Sequence, residues 1–173
     1  MKIIAFGASP SKHSINKKLA TYAAHLFKNA EVEVLDLNDY QMLIFSVDIE
    51  KEVGHHPMAQ AFLDKIASAD ILVVSLAENN SNYSAAFKNI FDWCSRIKGK
   101  VFQDKPMLLM AASDGKRGGA NVLEIAKKAF PWYGGNIKAT FSFPSFYDNF
   151  DLLNNRISNP ELDDQLRKII ANF

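Results

Sequence analysis

A single cysteine, Cys94, has no partner within the chain, so no intrachain disulfide forms and a reducing compartment suits it. Neither sign of charge dominates, since 20 Lys and Arg against 19 Asp and Glu leave a formal net charge of +1. That balance argues against a nucleic-acid partner drawn by bulk charge and against an acidic docking tail. Apolar runs fall far short of the roughly 18 residues a membrane helix needs. Met1-Lys2-Ile3-Ile4 leads into a strand pattern without a signal-peptide layout, so a cytoplasmic location is expected. There is no G-x-G-x-x-G and no G-x-x-x-x-G-K-[ST], which excludes a dinucleotide fingerprint and a Walker loop. The adjacent pair His55-His56 lacks helical spacing and a supporting Cys or acidic cluster, so no metal site is expected. No linker, repeat or low-complexity segment interrupts the chain.

What remains is an ordinary globular composition, 48% hydrophobic and 23% charged, in 173 residues. One domain over residues 1–173 is expected, large enough for a substantial core. Thirteen phenylalanines are many for this length, and most belong in that core. Apolar runs predict strands over 2–6, 70–76, 105–112 and 136–143, and alternation predicts one over 31–37. Helical spacing predicts helices over 14–28, 57–67, 84–97, 119–130 and 159–170. Residues 38–56 show no period and read as a long loop. Residues 145–159, with Phe146, Tyr147 and Phe150 among Asp and Asn, read as a lid or partner-facing loop. The alternation βαβαβαβαβα implies a three-layer α/β/α fold around a parallel sheet. Five strands suit the order 2-1-3-4-5 of the flavodoxin-like arrangement, with ligands outside the strand carboxyl ends.

Three loops fall at that end: 7–16, 77–83 and 112–119. The first is a loop of small hydroxyl residues between a strand and a helix start. Free N–H groups and the helix dipole make such a place an anion site. Ser9, Ser11, Ser14 and Asn16 offer side-chain donors suited to one terminal phosphate, although Ser14 also reads as a plain helix cap. The second loop carries Glu78, Asn79, Asn80 and Ser81, polar groups able to meet the edge of a heterocycle or to form a polar turn. In the third, Gly115, Gly118 and Gly119 permit a close backbone approach or a flexible connection. No catalytic dyad stands out: Ser9 or Ser14 as a nucleophile would need a positioned base, and His13 is near only in sequence. Cys94 lies within a helical pattern and reads as a packed thiol.

Together these loops resemble the NADPH-dependent FMN reductase family, which includes FMN-dependent azo-, quinone- and chromate reductases. The first family motif is roughly G-S-x-R-x-x-S-x-N-x-x-L-A, and residues 9–20 match it from the first serine onward. The second is roughly P-E-Y-N-x-S-x-x-x-x-L-K-N-x-x-D-W, of which Glu78, Asn80, Lys88, Asn89, Asp92 and Trp93 are present. The third is a serine before a glycine-rich turn, matched by Ser113, Gly115, Gly118 and Gly119. The resemblance implies an FMN-dependent NAD(P)H oxidoreductase acting on a small-molecule electron acceptor. Ser9, Ser11, Ser14, Ile15 (through its backbone) and Asn16 would hold the FMN phosphate. Glu78, Asn79, Asn80, Ser81, Ser113, Gly115 and Gly118 would line the isoalloxazine. A homodimer or homotetramer is also implied, to which Trp93, Phe87, Phe91, Phe143, Phe146 and Tyr147 could offer apolar surface. Ser11, Ala77 and Asn79 stand where the family usually has arginine, proline and tyrosine. Lys116 and Arg117 suit either a 2′-phosphate or plain solvent. Two other readings stay open: a flavodoxin-like electron carrier, and an interaction protein that keeps the fold without flavin.

Overall fold

The computed structural model describes residues 1–173. Five strands form one parallel sheet: β1 (Lys2–Ala8), β2 (Glu31–Leu35), β3 (Ile71–Ala77), β4 (Pro106–Ala112) and β5 (Asn136–Phe143). Their order is β2-β1-β3-β4-β5, the flavodoxin-like arrangement expected from the sequence. The central strand β3 is buried along its whole length, which is why its sequence is a continuous apolar run without alternation.

Successive residues of each strand face opposite layers. Ile4, Phe6, Leu72, Val74 and Leu109 point into one core, which α3 (Pro57–Ser68), α4 (Ala85–Ile97) and α5 (Ala120–Ala129) cover. Ile3, Ala5, Val73, Leu108 and Met110 point into the other, beneath α1 (Ile15–His25) and the terminal helix α7 (Pro160–Ala171). α1 presents Leu19, Ala20, Ala23 and Ala24 to the sheet, and these small residues let it lie close against β1 and β3.

Two expectations of loops are corrected. Residues 38–56 are not one loop: they contain a 3₁₀ turn, Leu37–Tyr40, and a helix, α2 (Val47–Val53). α2 buries no residue, so it carries no apolar period to read. Its ends are set locally instead, by Ser46 Oγ accepting from the Ile49 N–H and by Gly54 at φ +70°. The helix expected over 119–130 is α5 (Ala120–Ala129), and a 3₁₀ turn, Phe130–Tyr133, follows it directly with Pro131 inside it.

Residues 145–159, expected as a lid or partner-facing loop, are not an irregular loop. A short helix, α6 (Phe146–Asn149), leads into a two-stranded ribbon, β6 (Phe150–Asp151) and β7 (Arg156–Ile157). Phe146 and Phe150 are buried with rings stacked 4.7 Å apart. Trp93, Phe87 and Phe143 are buried as well, so these aromatics serve the core and not a subunit interface. Tyr147 alone of that set is largely exposed. Cys94 is packed as expected, and desolvation pushes its thiol up to about 12. No helix is long and apolar enough to cross a membrane.

Candidate functional site

The carboxyl ends of β1, β3 and β4 converge on a cleft of about 400 Å³. Its floor depends on one contact: a Cβ on Gly7 would stand 2.2 Å from the Lys17 nitrogen and 2.6 Å from the Asn16 carbonyl carbon. Only glycine lets the start of α1 sit directly on the end of β1.

Asn16 then ties that helix start to the other two strands. Its Oδ1 accepts from Ser75 Oγ at 2.7 Å and from the Ala112 N–H at 2.8 Å, and its Nδ2 donates to the Ala112 carbonyl at 3.2 Å. Ser84 acts similarly, donating to the Ala8 carbonyl at 2.8 Å while capping α4. The amide of Asn16 is therefore committed to the fold, and only its backbone N–H is available to a ligand.

The first loop closes tightly, with the Ser14 N–H on the Ser11 carbonyl and the Ser11 N–H on Ser9 Oγ. Ser14 Oγ accepts from the Lys17 N–H at 3.1 Å, so Ser14 caps α1 and still keeps its own O–H to donate. The first-turn N–H groups of Ile15 and Asn16 have no acceptor within the chain. No acidic residue lies in that turn. The neighbouring Lys17 ammonium lies against Asp36 and holds that carboxyl below its ordinary range. Two free N–H groups, a free hydroxyl and the positive helix end form a donor set that fits a phosphate monoester.

Of the four residues expected from the second loop, only Glu78 and Asn79 line the cleft. Glu78 turns its carboxylate to α5, accepting from the Val122 N–H at 2.9 Å and capping a helix whose own N-cap is Gly119. Asn79 and Asn82 exchange backbone hydrogen bonds across a tight turn, with Asn80 at φ +49° and Ser81 at φ +64°. That turn places Asn80 and Ser81 at an exposed tip outside the cleft, where Ser81 Oγ accepts from Asn121.

In the third loop Ser113 lines the cleft and Gly118 does not. A Cβ on Gly118 would strike Ser142 Oγ at 2.4 Å, so that glycine serves packing against β5. Gly115 has open space on its Cα and lends its carbonyl to Gly118, Ser145 and Ser113 Oγ. Five further residues, His13, Ala77, Ala112, Asp114 and Tyr147, line the cleft beyond those expected. Tyr147 comes from α6, remote in sequence, and supplies an aromatic ring to a cleft whose second loop carries Asn79 in place of one. The motif residues Asn89 and Trp93 lie elsewhere: both bind the backbone of residues 42–45, with Trp93 Nε1 donating to the Leu43 carbonyl at 2.8 Å.

This is a flavodoxin-like α/β protein with a cleft at the strand carboxyl ends. It belongs to the NADPH-dependent FMN reductase family, whose model matches residues 1–148. An uncharacterized Mycoplasma pneumoniae protein is 29% identical over 147 residues, 82% of this chain and 86% of that one. An Arabidopsis thaliana NADPH:quinone oxidoreductase is 29% identical over 69% of this chain. The match spans only 61% of that plant enzyme. Among solved structures, the NAD(P)H:(acceptor) oxidoreductase FerB of Paracoccus denitrificans aligns with a TM-score of 0.77 at 19% identity, covering 99% of this chain and 93% of its own. An NADH:FMN oxidoreductase in its apo form aligns at 0.69 and 17% identity, covering 99% and 87%.

Asn16→Asp keeps both acceptor contacts, loses the donated bond and buries a carboxylate beside the Ala112 carbonyl. A loss of about 2–4 kcal/mol is expected in urea unfolding followed by circular dichroism. An unchanged midpoint would contradict the role given to this amide.

Proposed function

We propose that residues 1–173 form a single FMN-binding domain that oxidises NAD(P)H and reduces a small-molecule acceptor of the quinone, azo or flavin type. The observation that carries this reading is the set of uncommitted donors at the start of α1, opening onto a cleft walled by the second and third loops. Bound FMN supplies hydride acceptance from the nicotinamide and onward transfer of the reducing equivalents.

The chain's own groups bind and orient. The N–H groups of Ile15 and Asn16 and the Ser14 hydroxyl hold the phosphate, with Ser9 and Ser11 closing the loop around it. The Asp114 N–H, without an acceptor in the chain, is a donor for the polar end of the flavin ring. Tyr147 covers an apolar face. Glu78 is held on α5 and does not set a free carboxylate against the phosphate. No side chain is assigned a proton transfer, so binding residues dominate the effect of substitution. A cytoplasmic setting suits the one unpaired cysteine, and fractionation of cells producing the protein tests it.

Two copies pair, in this reading, through residues 41–46. Leu43 and Ile44 are 65% and 82% exposed on a stretch whose backbone is pinned by Asn89 and Trp93. Sedimentation should give a dimer, and Ile44→Asp should shift it to monomer; a monomeric wild type at micromolar concentration would refute the pairing.

Ser14→Asp tests the phosphate site cleanly, because aspartate caps a helix as well as serine does. The fold should persist while FMN affinity falls by about tenfold or more, the effect of about 1.4 kcal/mol of lost attraction. NADPH oxidation at low FMN should fall in parallel. Wild-type affinity in this variant would move the phosphate elsewhere.

A further inference from the structure

The third loop leans on the turn between β5 and α6 for its shape at the cleft. The Ser113 N–H donates to the Phe143 carbonyl at 3.3 Å, the Phe146 N–H to the Ser113 carbonyl at 3.1 Å, and the Ser145 N–H to the Gly115 carbonyl at 3.0 Å. Ser142 Oγ donates to the Gly118 carbonyl at 3.0 Å. Where residues 142–146 go, the Asp114 N–H follows. The same turn sets the place of Tyr147, the next residue of α6, whose side chain lines the cleft.

That turn is not relaxed. Ser145 stands at φ +45° and ψ +56°, the left-handed region, which a serine keeps only where its surroundings require it. Asn149 is the side chain that closes over it. Its Nδ2 donates to the Pro144 carbonyl at 2.9 Å and to the Ser145 carbonyl at 3.3 Å, folding α6 back on the residues before it. Its Oδ1 accepts from Asn159 Nδ2 at 2.9 Å, and its backbone carbonyl accepts from the Ser158 N–H at 2.8 Å. Asn159 Oδ1 in turn caps α7, and Asp163 in the first turn of α7 accepts from the Tyr22 hydroxyl of α1 at 2.6 Å. A run of contacts thus leads from α1 through α7 and back to the far wall of the cleft, and Asn149 is the joint at which it reaches that wall. Asn149 does not itself line the cleft, and the family match ends one residue before it.

We infer that Asn149 is a positioning residue for the ring end of the flavin site. It holds α6 so that Tyr147 and the third-loop N–H groups meet the isoalloxazine, and it takes no part in holding the phosphate. This rests on the flavin placement proposed above and deepens it, by making a side chain that touches no ligand responsible for one end of the site.

The test is equilibrium titration of the full chain, wild type and variants, with riboflavin and with FMN. Asn149→Ala should weaken riboflavin by about tenfold, the worth of one aromatic contact and one hydrogen bond together. FMN should weaken by the same factor, leaving the ratio of the two affinities within about twofold of wild type. Tyr147→Ala alone should cost riboflavin about fivefold, and almost nothing further in the Asn149→Ala background, because the ring is already out of place. Asn159→Ala is the control: it removes the cap of α7 and lowers stability but leaves Asn149 on the Pro144 and Ser145 carbonyls, so riboflavin affinity should stay within about twofold. If Asn149→Ala does not fold, Asn149→Asp carries the same expectation for riboflavin, since it keeps the acceptor for Asn159 and loses only the donated bonds. Unchanged riboflavin affinity in the Asn149 variants would overturn the inference and leave the FMN site standing. So would additive losses in the cycle with Tyr147, or an equal loss in Asn159→Ala. A loss confined to FMN would put Asn149 at the phosphate end and overturn it too. A wild type that binds neither flavin would bring down the proposed function itself.

Discussion

The carboxamide of Asn16 is the interaction on which the rest depends. It is the one side chain that joins the start of α1 to β3 through Ser75 and to β4 through Ala112. The first loop ends at that helix start, the second leaves β3 two residues after Ser75, and the third begins at Ala112. The amide can do this only because Gly7 lets α1 settle on β1 with no Cβ between them. A helix start held so firmly keeps the N–H groups of Ile15 and Asn16 fixed in direction. A fixed dipole binds charge without reorganising, which a flexible loop of the same composition could not do.

Much of the polar chemistry at the strand ends is already used by the protein itself. Glu78 caps α5, Ser84 caps α4, Asn16 stitches strands, and Asn79 pairs with Asn82 across a turn. What is left over is mostly backbone N–H and serine hydroxyl. Such a set suits a cofactor that carries its own reactivity and needs to be held, not attacked.

The fold was legible because its strands are buried on both faces and its helices carry one apolar side. Residues 70–76 and 105–112 announce themselves as apolar runs, and the strand over 136–143 was placed to the residue. α2 was hidden because none of its residues is fully buried and only Ile49 packs on the core, so its signals were only a serine cap and a glycine stop. Phe146 and Phe150 were misread because polar neighbours surround them in sequence while Phe143 and each other surround them in space. At the site, the serines of the first loop were legible from residue type and spacing. The division of labour within the second and third loops was not. Spacing cannot tell that a carboxylate will reach across to another helix, as Glu78 does, or that Asn80 and Ser81 will adopt positive φ and turn outward. Tyr147 could be found only through the packing that returns α6 to the cleft.

The account stands on a phosphate held at the start of α1. Comparing FMN with riboflavin, which has the same ring and no phosphate, isolates that contact by equilibrium titration of the purified chain. FMN should bind about a hundredfold more tightly, the worth of two charge-assisted hydrogen bonds at about 1.5 kcal/mol each. Equal affinity for the two would contradict the account at its base.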